Sequence, residues 1–209
     1  MGNHVIALGR QFGSGGREIG RKLGEALGFA YYDRELLTLA AKRAEVREEL
    51  LADKDEKAAN PWLFKGFYEG GPKVKQGQSA EDVLYDMQSE IILELAEKGD
   101  CIIVGRNADL ILAEHRPLKL FVYADLESRL RRCRERSSDD ERFTLRELER
   151  KLRQVDQHRA RHHAMLSDLP WGSREGYHLC VNTTGLSLKT LAPLVAEYAR
   201  SWFSQQGTP

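Results

Sequence analysis

Short apolar runs alternate along the chain with stretches in which apolar residues return every three or four positions. HVIAL (4–8) predicts a first strand. From Arg17 to Leu27 the apolar residues Ile19, Leu23, Ala26 and Leu27 recur at helical spacing. Gly28 then stands where a helix C-terminus favours a left-handed residue. FAYY (29–32), closed by Asp33, predicts a second strand, and CIIVG (101–105), LKLFVYA (118–124) and YHLCVN (177–182) predict three more. Amphipathic helices are expected near 34–52, 80–98, 125–136, 143–166 and 187–202. Strands separated by helices imply an α/β domain with a mostly parallel sheet covered on both faces. The stretch 53–79 breaks this rhythm: it is rich in glycine and lysine with isolated aromatics, and predicts an irregular, mobile insertion.

Composition narrows the class. A chain of 209 residues suits one such domain and buries a sizeable core. A formal net charge of zero argues against broad nucleic-acid or membrane binding. Cys101, Cys133 and Cys180 are odd in number and far apart, with neither metal-ligand spacing nor a disulfide framework, so a reducing cytoplasmic setting is expected. The N-terminus enters a strand directly, without a signal-like segment, and no apolar run approaches the ~18 residues of a membrane span.

The junction of the first strand and helix carries the first candidate chemistry. In GRQFGSGGRE (9–18), Gly13, Gly15 and Gly16 fall within four positions just before the helix. Glycines let backbone N–H groups turn inward, and the helix start adds unpaired donors and a positive dipole end, so strand, loop and helix together predict a phosphate cradle. The phosphate-loop pattern G-x-x-x-x-G-K-[ST] is not met. With Gly16 as the closing glycine, Arg17 takes the lysine's place and Glu18 the hydroxyl's. Arg17 can pair with phosphate oxygens in a bidentate way. Glu18 suits Mg²⁺, directly or through water, and equally suits the first helical turn as an ordinary acid.

Further along, Gly105 and Arg106 leave the third strand at its carboxyl end, where open parallel sheets bind ligands. Asp33 ends the second strand in the same manner, with an N-cap role as the alternative. Between Arg129 and Arg161 stand eleven arginines and one lysine against seven acids, a net charge of +5 in a balanced chain. Most of these predict a solvated helical face. The exception is VDQHRAR, where Asp156 and Arg159 share a face, and the acid can orient the arginine toward a phosphoryl group.

These motifs resemble the cytidylate kinase-like branch of the P-loop nucleoside monophosphate kinases. RQFGSGGREIG and FAYYDRELL are similar to the opening of that branch, CIIVGRNADLIL to its core strand, LKLFVYADLESRLRRC to the approach to its lid, DQHR to the lid's D-x-x-R, and YHLCVNTTGLSLKTL to the closing strand and helix. The resemblance implies one P-loop kinase domain over 1–209, with a five-stranded parallel sheet in the order 2-3-1-4-5. It also implies an acceptor-binding region near 44–80 and a helical, arginine-rich lid near 129–163. It implies ATP phosphates on Gly13, Ser14, Gly15, Gly16, Arg17 and Glu18, with Mg²⁺ as cofactor. Arg129, Arg132, Arg153 and Arg159 would close over the phosphates. A pyrimidine monophosphate, CMP or dCMP first, would bind beside Asp33, Arg106 and Asn107. Asn107 stands where cytidylate kinases usually carry an aspartate. The expected reaction is transfer of the ATP γ-phosphoryl group, with Arg17, Asp156 and Arg159 as catalytic candidates. The alternatives are a nucleotide sensor with little or no turnover, and a kinase for another small phosphate acceptor.

Overall fold

The computed structural model describes residues 3–33, 80–136 and 143–206. Its centre is a parallel sheet of five strands: β1 (Val5–Arg10), β2 (Ala30–Tyr32), β3 (Cys101–Val104), β4 (Leu118–Tyr123) and β5 (Leu179–Asn182). Their spatial order is β2-β3-β1-β4-β5, as the resemblance implies. The helices are α1 (Gly16–Leu27), α2 (Ala80–Lys98), the single turn α3 (Ala108–Ile111), α4 (Leu126–Arg136), α5 (Leu145–Ala164) and α6 (Leu188–Gln205). The expected helix near 34–52 and the expected insertion 53–79 lie outside the described residues.

Alternating strand residues feed two apolar layers, because successive side chains leave a strand on opposite faces. Ile6 and Leu8 of β1 join Ile19 and Leu23 of α1 and Val195 and Ala199 of α6 on one face. Val5 and Ala7 join Ile91, Ile92 and Leu95 of α2 on the other. Burial on both faces explains why β1 and β3 read as unbroken apolar runs. Helix α5 starts with a capping box in which Thr144 and Glu147 satisfy each other's backbone N–H groups.

Two differences from the expected elements bear on the site. Strand β1 runs two residues past Leu8, because Gly9 and Arg10 pair in register with Phe121 and Val122 of β4. Arg10 is therefore the last residue of a central strand. The segment after β3 also turns into α3 and a 3₁₀ turn at Ala113–His115, where no element is expected. The carboxyl ends of β1, β3, β4 and β5 deliver the glycine loop, Gly105–Asn107, Ala124–Asp125 and Thr183 to one edge of the sheet.

Candidate functional site

The loop between β1 and α1 is set by backbone conformation. Gly13 and Gly15 have φ of 77° and 85°, a region closed to most side chains, and Gly15 caps α1. Gly16 is already the first helical residue. The loop is held from within by Gln11, whose carbonyl accepts from the Ser14 N–H at 3.3 Å and from Ser14 Oγ at 2.9 Å. The Ser14 side chain is wholly buried in this turn.

A set of buried polar residues braces the loop from beneath. Thr183, fully buried after β5, donates from Oγ1 to the Ser14 carbonyl at 2.7 Å. Arg132 of α4 is also buried, and its guanidinium donates to Thr183 Oγ1 at 3.0 Å, to the Thr183 carbonyl at 2.5 Å and to the carbonyls of Leu186 and Ser14 at 3.3 and 3.4 Å. Burial, then the neighbouring Arg131, lowers the Arg132 pKa from its usual value. Its donors meet these protein groups, and through them Arg132 braces the loop. Arg129 has the same character. Its Nε donates to the Phe12 carbonyl at 2.7 Å and its Nη2 pairs with the Asp156 carboxylate. A buried charge held in this way is favourable only while its partners stay in place.

Asp156 lies at the crossing of these contacts. Its carboxylate accepts from the Phe12 N–H at 2.8 Å, pairs with Arg129, and stands 3.6 Å from Arg159. Burial raises its pKa, and the Phe12 hydrogen bond and the two arginines oppose that rise. Arg159 donates to the Arg10 carbonyl at 2.9 Å, and its guanidinium lies 5.9 Å from the centre of the Phe12 ring. Arg159 has its pKa pulled well below the usual value, first by burial and then by Arg10, with Arg17 and Arg106 adding to the effect. Four arginines from four parts of the chain thus converge at the carboxyl ends of β1 and β3. Among the described residues, two carboxylates lie with them: Asp156, and Asp33, which pairs with Arg17 at 2.7 Å and with Arg10 at 3.5 Å. Among the described residues arginines outnumber carboxylates at this edge, and clustered arginines of this kind attract anions.

Arg106 sits in a strained stretch. Gly105, Arg106 and Asn107 have φ of 74°, 57° and 53°, three left-handed residues in succession. The φ of Gly105 favours glycine, and the Arg10 guanidinium packs against it: a Cβ there would lie 1.8 Å from Arg10 Nη1. Strain of this kind is a signature of functional positions. Asn107 caps α3, and its side-chain amide donates to the His162 carbonyl at 3.4 Å. His158 lies in the same charged environment: burial first, then His162, Arg106, Arg159 and Arg161, push its pKa down to about 4.

Glu18, in the first turn of α1, pairs with Arg136 at 2.5 Å. It offers one hard oxygen donor group beside the loop, which fits a Mg²⁺ held mainly by phosphate and water oxygens with a single carboxylate. Arg153 is exposed and pairs with Glu149 one turn away on α5. Among the described residues no cluster of three or more His, Cys, Asp or Glu could hold a metal by itself.

Three contributors are missed by the sequence reading: Arg10, Thr183 and the Phe12 backbone. Only Arg10 leaves a signal, since it stands five residues before Gly15 in R-x-x-x-x-G-G.

Among solved structures, an uncharacterized protein from Eubacterium ventriosum is 22% identical, with 95% of this chain and 99% of that one covered and a TM-score of 0.68. The shikimate kinase of Bacteroides thetaiotaomicron is 13% identical over 94% of this chain and 98% of its own, with a TM-score of 0.56. The shikimate kinase of Acinetobacter baumannii, solved with shikimate, is 18% identical over 95% and 94%, with a TM-score of 0.51. These likenesses show the fold. No curated protein sequence matches the chain. The family model for the cytidylate kinase-like family matches residues 5–185, from the first residue of β1 through the turn after β5, and the chain belongs to that family.

Proposed function

We propose that this protein transfers the γ-phosphoryl group of ATP to a pyrimidine nucleoside monophosphate, CMP or dCMP first among them. The observation that carries the reading is the convergence of Arg10, Arg17, Arg106 and Arg159 beside a glycine loop that opens α1. Phosphoryl transfer needs little covalent help, and positioning with charge stabilisation does most of the work. Membership of the cytidylate kinase-like family supports the choice of acceptor.

In this reading the backbone N–H groups from Gly13 to Gly16 bind the ATP phosphates, aided by the start of α1. Mg²⁺, when bound, neutralises phosphate charge, and Glu18 is the residue that would help to hold it, directly or through water. Arg106 and Asp33, with Asn107 behind them, define the acceptor side. Asp33 keeps Arg17 beside the loop, and an arriving phosphate competes with Asp33 for that guanidinium. Asp156 fixes Arg129 and orients Arg159 from the lid side. Arg153, on the exposed face of α5, would have to move with the lid to reach phosphate. One domain performs all of this, with 44–80 as the acceptor region and 129–163 as the lid. Among the described residues no helix is long and apolar enough to cross a membrane. The three free cysteines fit a reducing cytoplasm.

The test is a coupled ADP-release assay with ATP and Mg²⁺ against a panel of nucleoside monophosphates. Acceptor-dependent ADP release, largest with CMP or dCMP, is expected. ATP binding without acceptor-dependent turnover would replace this reading with that of a nucleotide sensor. Turnover confined to an acceptor outside the nucleotide panel would make the protein a kinase of different specificity.

A further inference from the structure

In phosphate-binding loops of the pattern G-x-x-x-x-G-K-[ST], the closing glycine leads into the helix and the lysine follows it. Conformation fixes the register of that pattern here. Gly15, with φ of 85°, is the residue that must be glycine and the one that caps α1, while Gly16 opens the helix. The lysine's place is therefore held by Gly16, and the first glycine's place by Arg10. The two ends of the pattern have exchanged character, to give R-x-x-x-x-G-G.

The exchange is visible in space. A Cβ on Gly16 would lie 2.5 Å from Arg10 Cβ and 3.0 Å from Arg10 Cγ, so the Arg10 stem fills the volume that a side chain at 16 would need. From there the guanidinium runs to Gly105, with Nη1 against that glycine's backbone. It thus reaches from beside Gly16 to Gly105, the residue before Arg106, with Asp33 at 3.5 Å. Arg17, the candidate on sequence grounds, stands one residue further along α1. Its side chain is 38% exposed against 13% for Arg10, and it pairs with Asp33 at 2.7 Å. A cation in the drier position acts more strongly on a nearby anion.

We infer that Arg10, from the end of the central strand, supplies the phosphate-contacting cation that the lysine provides in other loops, and that Gly16 is glycine to make room for it. The inference rests on the reading of the site as an ATP-dependent phosphotransferase. Arg10 then lies between donor and acceptor subsites, where the γ-phosphoryl group has to pass. Arg17 becomes an outer cation that shares Asp33 with it.

Four variants test this: Arg10→Met, Arg10→Lys, Gly16→Lys, and the double variant Arg10→Gly with Gly16→Lys, which rebuilds the usual pattern. Each is measured by MgATP and MgADP titration calorimetry, by acceptor-dependent ADP release, and by thermal melting. Arg10→Met, which keeps the stem, should lower kcat by about 10²- to 10³-fold, the size of effect of removing one aimed electrostatic partner. Its ADP affinity should change by less than about threefold, because backbone N–H groups dominate there. Arg10→Lys should recover part of the loss. Gly16→Lys alone should be impaired, since its stem meets that of Arg10, whereas the double variant should exceed Arg10→Met by at least about tenfold. Should Arg10→Met fail to fold, a drop in kcat for Arg10→Lys at an unchanged melting midpoint carries the same conclusion. The inference is overturned if the wild type turns over while Arg10→Met matches it, or if the double variant is no better than Arg10→Met. If the wild type binds no MgATP at all, the phosphotransferase reading fails first, and the role of Arg10 falls with it.

Discussion

The Asp156 carboxylate accepts a 2.8 Å hydrogen bond from the Phe12 N–H, which ties α5 to the glycine loop 144 residues earlier in the chain. The same carboxylate pairs with Arg129, whose Nε holds the Phe12 carbonyl. Both backbone groups of Phe12 are thus held by one ion pair. Asp156→Asn keeps an acceptor for the Phe12 N–H but leaves Arg129, with a side chain only 10% exposed, without its counter-charge. Breaking a buried pair from one side is costly, so a loss of about 3 kcal/mol in urea unfolding is expected. An unfolding midpoint equal to wild type would show that the pair does not brace the loop.

The sheet was legible because parallel strands buried on both faces are apolar runs: CIIV and most of LKLFVY could be little else. The end of β1 was not, because Gly9 and Arg10 join the strand through pairing with β4, which residue type does not reveal. The glycine loop and Arg106 stand out through local chemistry, glycines before a helix and an arginine after a core strand. The contacts of Arg129 and Arg132 were hidden. An arginine-rich helix reads as solvated, yet these two meet the carbonyls of Phe12, Ser14, Thr183 and Leu186, which only the tertiary fold brings to them.

Thr183 offers a test of the brace apart from any charge. Thr183→Val keeps the shape of a fully buried side chain and deletes the hydroxyl that donates to the Ser14 carbonyl and accepts from Arg132. Leaving buried polar groups short of partners costs roughly 1–3 kcal/mol each, and a loss in that range is expected by urea titration. The loosened loop should weaken ATP binding more than it changes the acceptor KM. Equal effects on both substrates would argue that Thr183 supports the fold at large.

His158 gives stability a pH dependence with a definite sign. Its pKa is about 4 in the folded protein, depressed by burial and then by His162, Arg106, Arg159 and Arg161, against an ordinary value of 6.5. Between those values the unfolded chain holds more protons than the folded one, so stability rises with pH across that window. The contribution is complete above pH 6.5 and declines as pH falls toward 4. Partial exposure screens the effect, so the slope should be shallower than the full shift implies. His158→Gln should flatten the slope in urea unfolding measured from pH 4.5 to 7.5. A slope identical to wild type would assign the pH dependence to other groups.

Arg106 combines strain with charge, and two substitutions separate them. Its φ of 57° is unfavourable for any residue with a Cβ, at a cost of order 1 kcal/mol. Arg106→Ala removes the guanidinium and keeps that cost, whereas Arg106→Gly removes both. If Arg106 binds the acceptor phosphate, both variants lose a charge-assisted contact worth roughly 1.5–3 kcal/mol, and the acceptor KM rises by about 10- to 150-fold in each. ATP affinity should stay nearly constant, since the glycine loop is untouched. Melting should rank the glycine variant above the alanine variant. Steady-state kinetics with the best acceptor and thermal melting together decide the matter. A wild-type acceptor KM in both variants, with only the melting midpoints moved, would make Arg106 a structural residue and move the acceptor site elsewhere along the carboxyl edge of the sheet.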